Sequence, residues 1–198
     1  MDSALATTPV RRHPLGFLIA RIDGADGTAL RLHFWSKAWN APQIGFEVHD
    51  HAFDFESFVV GGQVRQTIYE MLTAPTGDCR VYSVGYERGR STLVASDRVT
   101  YLEAVSSESY VGGQAYSLPA KVLHRLECVS AEAVTLVLTK DRGLEPVTVG
   151  PLNGPDELLT ERPIVLDPTG AALTLAGSTQ LKDMMLSEPI MAGFNVTH

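Results

Sequence analysis

The sequence has no uninterrupted apolar run long enough to span a bilayer, no block of basic residues and only two cysteines among its 198 residues. The first absence predicts a protein that does not cross a membrane. The second, together with a net charge of −7, argues against nucleic acid and anionic membrane surfaces as partners. Cys79 and Cys128 are too few for a disulfide framework, so we expect two reduced thiols in a cytoplasmic protein.

Signals for several common enzyme classes and for export are also missing. The sequence contains no nucleophile elbow, phosphate-binding loop or dinucleotide-binding fingerprint. Residues 1–13 carry their positive charge after the apolar residues and lack the hydrophobic segment of a secretory signal, so a cleaved leader is not expected. We interpret residues 1–13 as a flexible tail.

Most of the chain consists of short segments with strand-like composition, separated by turn residues. Hydrophobic residues make up 44% of the sequence, which is enough for a sizeable core. Gly61-Gly62 between two apolar segments is typical of a tight hairpin. Strands this short and this evenly spaced predict an all-β sandwich or barrel. We predict strands at 16–21, 29–35, 44–51, 55–60, 64–71, 80–86, 91–95, 99–104, 113–117, 120–129 and 133–139.

The C-terminal part of the chain has a different character. Residues 144–170 contain five prolines and little periodicity, which indicates an extended arm lying on the barrel or on a neighbouring subunit. One short helix is predicted at 178–186, because Ser178 can cap it and an apolar stripe follows. We therefore divide the chain into a tail at 1–13, a barrel at 14–142, and an arm with its helix at 143–198.

The arm also predicts an oligomeric state. Residues 145–168 lack the composition to form a core of their own, and the edge strands of an open barrel need cover. An arm exchanged between two subunits would supply that cover. We therefore expect a homodimer.

Three of the six histidines form a spaced pattern that is typical of a metal site. His49 and His51 lie two residues apart, so on a strand both side chains point to the same face. Far downstream, Gly113 is followed after five residues by Pro119, and His124 comes five residues later. Imidazoles that converge inside a barrel suit a first-row divalent metal such as Fe, Mn, Ni, Cu or Zn and leave positions open for a substrate or O₂.

These two motifs together resemble the paired metal motifs of the cupin superfamily. The resemblance implies a double-stranded β-helix, or jelly-roll, barrel with His49, His51 and His124 as metal ligands. The second motif departs from the family pattern at two positions. Lys121 stands where the pattern has glycine, and Cys128 stands where it has asparagine.

Within that superfamily the chain is most similar to the cysteine dioxygenase branch, over about residues 21–139. That branch binds ferrous iron with three histidines and adds O₂ to a thiol sulfur. Arg21, a Gly-Asp-rich turn and a strand ending in Trp35 resemble the segment whose arginine holds the substrate carboxylate. A salt bridge from Arg21 to Asp23 or Asp26 is the alternative interpretation, and it is slightly favoured.

The same branch has a Ser-His-Tyr relay after the last histidine, and most of it is missing here. Only Thr135 offers a hydroxyl at a corresponding position. A fourth ligand is also in question. Glu56 has the spacing of the cupin carboxylate only when counted from His51, and on an uninterrupted strand it would point away from the histidines. Asp54 is an acidic alternative, as a partner of a histidine or as a turn residue.

Further polar residues on the strands are candidates for the pocket wall. Tyr69, Arg80 and Tyr82 could line the pocket and contact the substrate, although aromatic residues on strands more often serve packing. Arg31 and His33 alternate with apolar residues, and we interpret them as a solvated strand face.

These observations predict a mononuclear non-heme Fe(II) oxygenase or dioxygenase. Its expected substrates are O₂ and a small molecule, such as a thiol- or carboxylate-bearing, amino-acid-like metabolite. Two alternatives remain open. One is a cupin that uses its metal as a Lewis acid in isomerase, lyase or hydrolase chemistry. The other is a metal-free cupin that binds a small molecule.

Overall fold

The computed structural model describes residues 8–39, 41, 43–72, 75–87 and 89–165. Within these residues the chain forms thirteen β-strands and no helix. The described part of the chain thus has no helix that is long and apolar enough to cross a membrane. The helix predicted at 178–186 lies outside the described residues.

The strands follow one another closely along the chain. Their bounds are β1 Arg11–Arg12, β2 Leu18–Asp23, β3 Thr28–Ser36, β4 Val48–His49, β5 Phe53–Gly61, β6 Gln63–Leu72, β7 Cys79–Glu87, β8 Arg90–Val111, β9 Ala115–Leu118, β10 His124–Cys128, β11 Glu132–Asp141, β12 Val147–Pro151 and β13 Glu157–Glu161.

Two antiparallel sheets contain all these strands. The first has the order β1-β2-β3-β11-β5-β9, and the second has the order β13-β8-β6-β10-β4-β12-β7. A further pairing of β7 with β8 closes the second sheet on itself. Strands distant in sequence are thus neighbours in each sheet, as β11 is between β3 and β5.

A shared apolar core holds the two sheets together. Phe55, Val59 and Val137 from the first sheet pack with Val64 from the second, and Val59 and Val64 have no exposed surface. Burying side chains of this size removes apolar area from water, at about 25 cal/mol per Å². The predicted all-β, double-stranded β-helix fold is confirmed.

The outer face of the first sheet carries a second apolar cluster. Leu32 and Phe34 of β3 pack there with Val10, Ala20 and Leu136. Successive strand residues point to opposite faces, so the polar alternates of β3 point to the inside of the barrel. The solvated face predicted for Arg31 and His33 is wrong for this reason: the apolar side of β3 faces outwards, where other parts of the chain cover it.

Parts of the predicted tail and arm belong to the sheets. Arg11 and Arg12 pair with β2, and β12 lies between β4 and β7. The sequence does not reveal β12 as a strand, because prolines stand beside and within it and prolines are rare inside sheets. Residues 147–151 and 157–161 pair with strands of their own chain. The homodimer stays a prediction.

Candidate metal centre

Strand pairing brings the first and last histidines of the two motifs side by side. His49 on β4 is the direct antiparallel partner of His124 on β10. Directly opposed residues have neighbouring side chains on one face of a sheet. The two imidazole centroids are 4.7 Å apart as a result.

His51 completes the cluster from just beyond the end of β4. Its carbonyl accepts the Lys121 backbone N–H at 3.0 Å, which fixes the chain at this point. Its ring lies 4.8 Å from that of His49 and 4.9 Å from that of His124. One ligating atom from each histidine lies within 4.8 Å of the other two. Small side-chain rotations bring such nitrogens into a metal–nitrogen shell of about 2.0–2.1 Å.

Backbone carbonyls select the tautomer of two of these rings. Nδ1 of His49 lies 2.8 Å from the Glu47 carbonyl, and Nδ1 of His124 lies 3.1 Å from the Val122 carbonyl. A neutral imidazole can bond to a carbonyl only by donating, so the proton is on Nδ1 and the Nε2 lone pair is free. Metal-binding histidines are commonly held in this way. The donor set therefore fits a divalent metal.

The three histidines border a cavity of about 630 Å³, a volume that includes its open mouth. Aromatic rings form much of its wall, and His51 stacks on Phe53 at 4.4 Å. The full lining is His13, Leu15, Phe17, Ile19, Arg31, His33, Trp35, His49, His51, Phe53, Phe55, Tyr116, His124, Leu126 and Val137. This lining includes no carboxylate.

Burial keeps the imidazoles of this cavity neutral. Loss of solvation lowers the pKa of His124 to about 3, and the neighbouring His49 acts in the same direction. Burial likewise lowers the pKa of His49 and takes that of His51 well below its usual value. Only a neutral imidazole can offer a lone pair to a metal. The three rings are therefore in the protonation state that metal binding requires.

The buried His33 predicts a loss of stability in acid. Burial, and then the charges of Arg31 and Arg162, lower the pKa of His33 to about 3. Below about pH 6.5 the unfolded chain therefore binds a proton at His33 that the folded chain does not bind. The stability that comes from the neutral His33 is complete above that pH and is lost as the pH falls. For metal-free protein, we expect the wild type to lose about 2 kcal/mol more than His33→Gln between pH 7 and pH 5. Urea unfolding at the two pH values measures this; equal losses would contradict a neutral buried His33.

Asp50, between the two histidines, holds their segment in place. Its side chain is 2% exposed and forms a 2.5 Å ion pair with Lys121. It also accepts the Val147 backbone N–H at 2.7 Å. Lys121 has a φ of 68°, a left-handed conformation that usually favours glycine. Residue 121 thus has a backbone conformation that suits glycine, and the lysine found there instead supplies a partner for Asp50.

Neither predicted carboxylate lies at the centre. Glu56 is exposed and points away from the histidines, because Phe55 and Ser57 on either side of it face inwards. The break between β4 and β5 does not change this. Asp54 accepts the Ala120 backbone N–H at 2.8 Å and pairs with Arg142. It contacts no histidine among the described residues.

Four residues expected to bind substrate lie away from the cavity. Arg21 is exposed and pairs with Asp23 at 2.7 Å, which is the alternative that the sequence favoured. Arg80 donates to the Ser96 carbonyl and pairs with Asp156, while Tyr82 packs on Phe46. A bulge shifts the register between Arg80 and Tyr82.

Tyr69 is the fourth of these residues, and it also follows a bulge. The register of β6 with β8 shifts between Ile68 and Tyr69. Tyr69 packs with Val81, Leu123 and Val149 in another core cluster. Bulges change which face a side chain occupies, and neither bulge could be predicted from the sequence.

Several residues that line the cavity were not predicted from the sequence. Arg31, His33 and Trp35 enter from β3, Tyr116 enters from β9, and His13 comes from the segment after β1. The available signal was the odd-numbered set on β3, where an arginine, a histidine and a tryptophan alternate along a strand. The alternation shows that these three side chains share one face, but not whether that face points inwards.

The residues at the other departures from the family patterns have ordinary structural contacts. Thr135 is fully buried, and its hydroxyl accepts the indole N–H of Trp35 at 3.3 Å. Cys128 packs against the core between the sheets, and its thiol donates to the Ser130 carbonyl. Neither side chain lines the cavity. Thr135, the relay counterpart that the sequence offered, therefore lies outside the cavity wall.

Comparison with known proteins gives structural similarities only. No family model and no curated protein matches the chain. A variant of Bacillus subtilis oxalate decarboxylase is similar at 14% identity and a TM-score of 0.43, over 71% of this chain and 29% of that one. Lactobacillus farciminis oxalate decarboxylase in a formate complex is similar at 12% identity and a TM-score of 0.41, over 71% of this chain and 32% of that one.

A third similar structure is that of Fe(II) HppE, at 10% identity and a TM-score of 0.41, over 67% of this chain and 56% of that one. The chain thus spans about a third of the length of the two decarboxylases and somewhat more than half of HppE. At such identities the function of this chain has to be inferred from its own residues.

Proposed function

We propose that this chain is a mononuclear metal-dependent oxygenase that uses Fe(II) and O₂ to oxidise a small organic molecule. The observation that carries the proposal is the group of three neutral imidazoles at a largely apolar cavity that has no carboxylate in its wall. Imidazole ligands suit Fe as well as Mn, Ni, Cu and Zn. Fe(II) held by three neutral ligands would keep its 2+ charge and open positions for substrate and O₂.

The residues around the centre have distinct tasks in this proposal. His49, His51 and His124 hold the metal, and the carbonyls of Glu47 and Val122 keep two of these rings oriented. Asp50 fixes the backbone between the first two ligands. Rigid support of this kind limits the reorganisation that a reaction requires.

The apolar wall supports oxidation rather than hydrolysis. Phe17, Trp35, Phe53, Phe55 and Tyr116 surround the space next to the histidines. Such a wall excludes water, which protects reactive species from side reactions. An apolar gas such as O₂ is also more soluble in apolar surroundings than in water.

One observation favours a second candidate, non-redox chemistry with the metal as a Lewis acid. His13 lines the same cavity, and its Nδ1 accepts the Leu15 backbone N–H at 3.2 Å. Its proton is therefore on Nε2 when the ring is neutral, the opposite tautomer to His49 and His124. A hydrogen-bond donor beside a metal site can stabilise negative charge that develops on a substrate, which suits an isomerase, lyase or hydrolase.

Oxygen uptake separates the two candidates. We expect Fe(II)-loaded protein to consume O₂ when a suitable carboxylate, thiol or α-hydroxy acid is added, and His124→Ala to consume none above background. An oxygen electrode measures both, with product analysis by mass spectrometry. His13→Phe serves as the second comparison, since it removes the imidazole N–H but not a metal ligand.

Two results would oppose oxygenase activity. One is full iron loading without O₂ uptake for every compound in the series. The other is uptake that persists unchanged in His124→Ala. The first result, combined with product formation that requires His13, would support the non-redox candidate instead.

A further inference from the structure

A partly buried cation lies in the wall of the cavity, and its Nε has no hydrogen-bond partner. Arg31 projects from β3, and its guanidinium carbon lies 4.0 Å from the centre of the Phe53 ring. Its Nε is shielded from solvent and has no hydrogen-bond partner. Arg31 also forms no ion pair with any residue of the described chain. Burial lowers the pKa of Arg31 only to about 10, so the side chain is charged at neutral pH.

Such an arrangement is unfavourable unless a ligand completes it. A buried charge needs a counter-charge and hydrogen bonds to offset its lost hydration. The stacking on Phe53 contributes only part of this, about 1–2 kcal/mol for a desolvated cation–π contact. An anion that accepts hydrogen bonds from the guanidinium would supply the rest.

A second unpartnered group lies on the same face of β3. His33 is two residues from Arg31, and its Nε2 is also shielded from solvent without a hydrogen-bond partner. Its ring packs against both Phe17 and Trp35. Two unpartnered nitrogen groups on one strand face thus border the cavity, and both can donate to the same anion.

The cavity wall offers no carboxylate to a substrate ammonium group. Among the described residues that line it there is no aspartate or glutamate, and Arg31 is the one permanently charged side chain. A substrate ammonium group would therefore be buried beside a like charge and without a partner. Amino acids with a free ammonium group fit this wall poorly, in contrast to the amino-acid-like substrate expected from the sequence.

The distance between the cation and the metal ligands limits the size of the ligand. The Phe53 ring contacts the guanidinium at 4.0 Å and the His51 ring at 4.4 Å. Because both groups contact the same Phe53 ring, the guanidinium and the His51 ring cannot be farther apart than these two distances combined. A molecule that reaches both therefore needs to be no longer than one substituted aromatic ring.

We propose that the cavity binds a small apolar carboxylate without an ammonium group. Its carboxylate is held by Arg31 and His33, and its apolar part lies among the aromatic rings, facing the three histidines. The guanidinium matches a carboxylate through two parallel hydrogen bonds. The proposal deepens the proposed function, because it rests on the same site and names the substrate class.

Three isosteric probes test the proposal without turnover. Phenylacetate carries the carboxylate, 2-phenylacetamide lacks the charge, and phenylglycine adds an ammonium group. We expect the Zn(II)-loaded full-length protein to bind phenylacetate at least about tenfold more tightly than either of the other two. Titration calorimetry measures the three affinities.

Two variants assign the preference to the cavity. Arg31→Gln should remove the preference for phenylacetate over 2-phenylacetamide, and Arg31→Lys should restore part of it. Arg21→Gln is the matched control, because Arg21 is exposed and pairs with Asp23, and it should bind as the wild type does. Circular dichroism and zinc content confirm that each variant is folded and loaded.

The results separate this proposal from the oxygenase proposal. A preference that survives Arg31→Gln would overturn it, because the carboxylate would then be bound by the metal alone. Equal binding of phenylglycine and phenylacetate would overturn the exclusion of the ammonium group. Failure of oxygen uptake has no influence on these affinities, since the zinc form does not react with O₂.

Discussion

Replacing His124 with alanine is expected to remove most of the bound metal. His124 is 4% exposed, and its ring lies within 4.9 Å of both other histidines. Loss of one of three ligands leaves two imidazoles, which are a much weaker site, and no other residue of the described chain belongs to this cluster. We expect affinity for a divalent metal to fall by more than about 100-fold. Competition with a chromophoric chelator measures the affinity.

Two control variants make this prediction specific. His33→Gln changes a histidine of the same cavity that does not belong to the cluster, and Glu56→Gln changes the exposed carboxylate that the cupin pattern points to. Both should keep wild-type metal affinity. A loss of metal in Glu56→Gln as large as that in His124→Ala would show that the carboxylate is a ligand after all.

The second large effect is expected at the ion pair beneath the histidines. Lys121→Met leaves the Asp50 carboxylate, which is 2% exposed, with only the Val147 N–H as a partner. A buried charge that loses its partner is strongly destabilising, and partial exposure of Lys121 reduces the effect. We expect the free energy of unfolding to fall by about 2–3 kcal/mol and metal affinity to fall by about tenfold. Urea unfolding and chelator competition measure the two effects.

Two further lysine variants, one at Lys140 and one at Lys121 itself, provide the comparison. Lys140 is exposed and donates to the Asp26 carbonyl, so Lys140→Met should change the free energy of unfolding by less than about 0.5 kcal/mol. Lys121→Gly should be less destabilising than Lys121→Met by about 1 kcal/mol, because it relieves the left-handed backbone conformation. If Lys121→Met were as stable as Lys140→Met, the ion pair would have no structural role.

The cluster of three histidines could be predicted because its signal is local. His49 and His51 share a strand face by their spacing alone, and the position of His124 in the second motif suggested a facing strand. The outward orientation of Glu56 also followed from strand parity. In each case the relevant geometry extends over a few residues along one strand.

The inward orientation of Arg31 and His33 on β3 could not be predicted in the same way. Which face of β3 points inwards depends on the cluster around Val10 and Leu136, which are distant in sequence. Local alternation cannot distinguish an inner polar face from an outer one. Arg31 was therefore assigned to solvent, and Arg21 was considered as the substrate residue instead.

The most direct test of the metal centre is X-ray absorption spectroscopy of anaerobically Fe(II)-loaded wild-type protein, together with its iron content. We predict one iron per chain and scattering from three imidazole rings, with all imidazole scattering lost in the His51→Ala, His124→Ala double variant. Stoichiometric iron in the double variant, or a wild-type spectrum without imidazole scattering, would contradict the three-histidine centre.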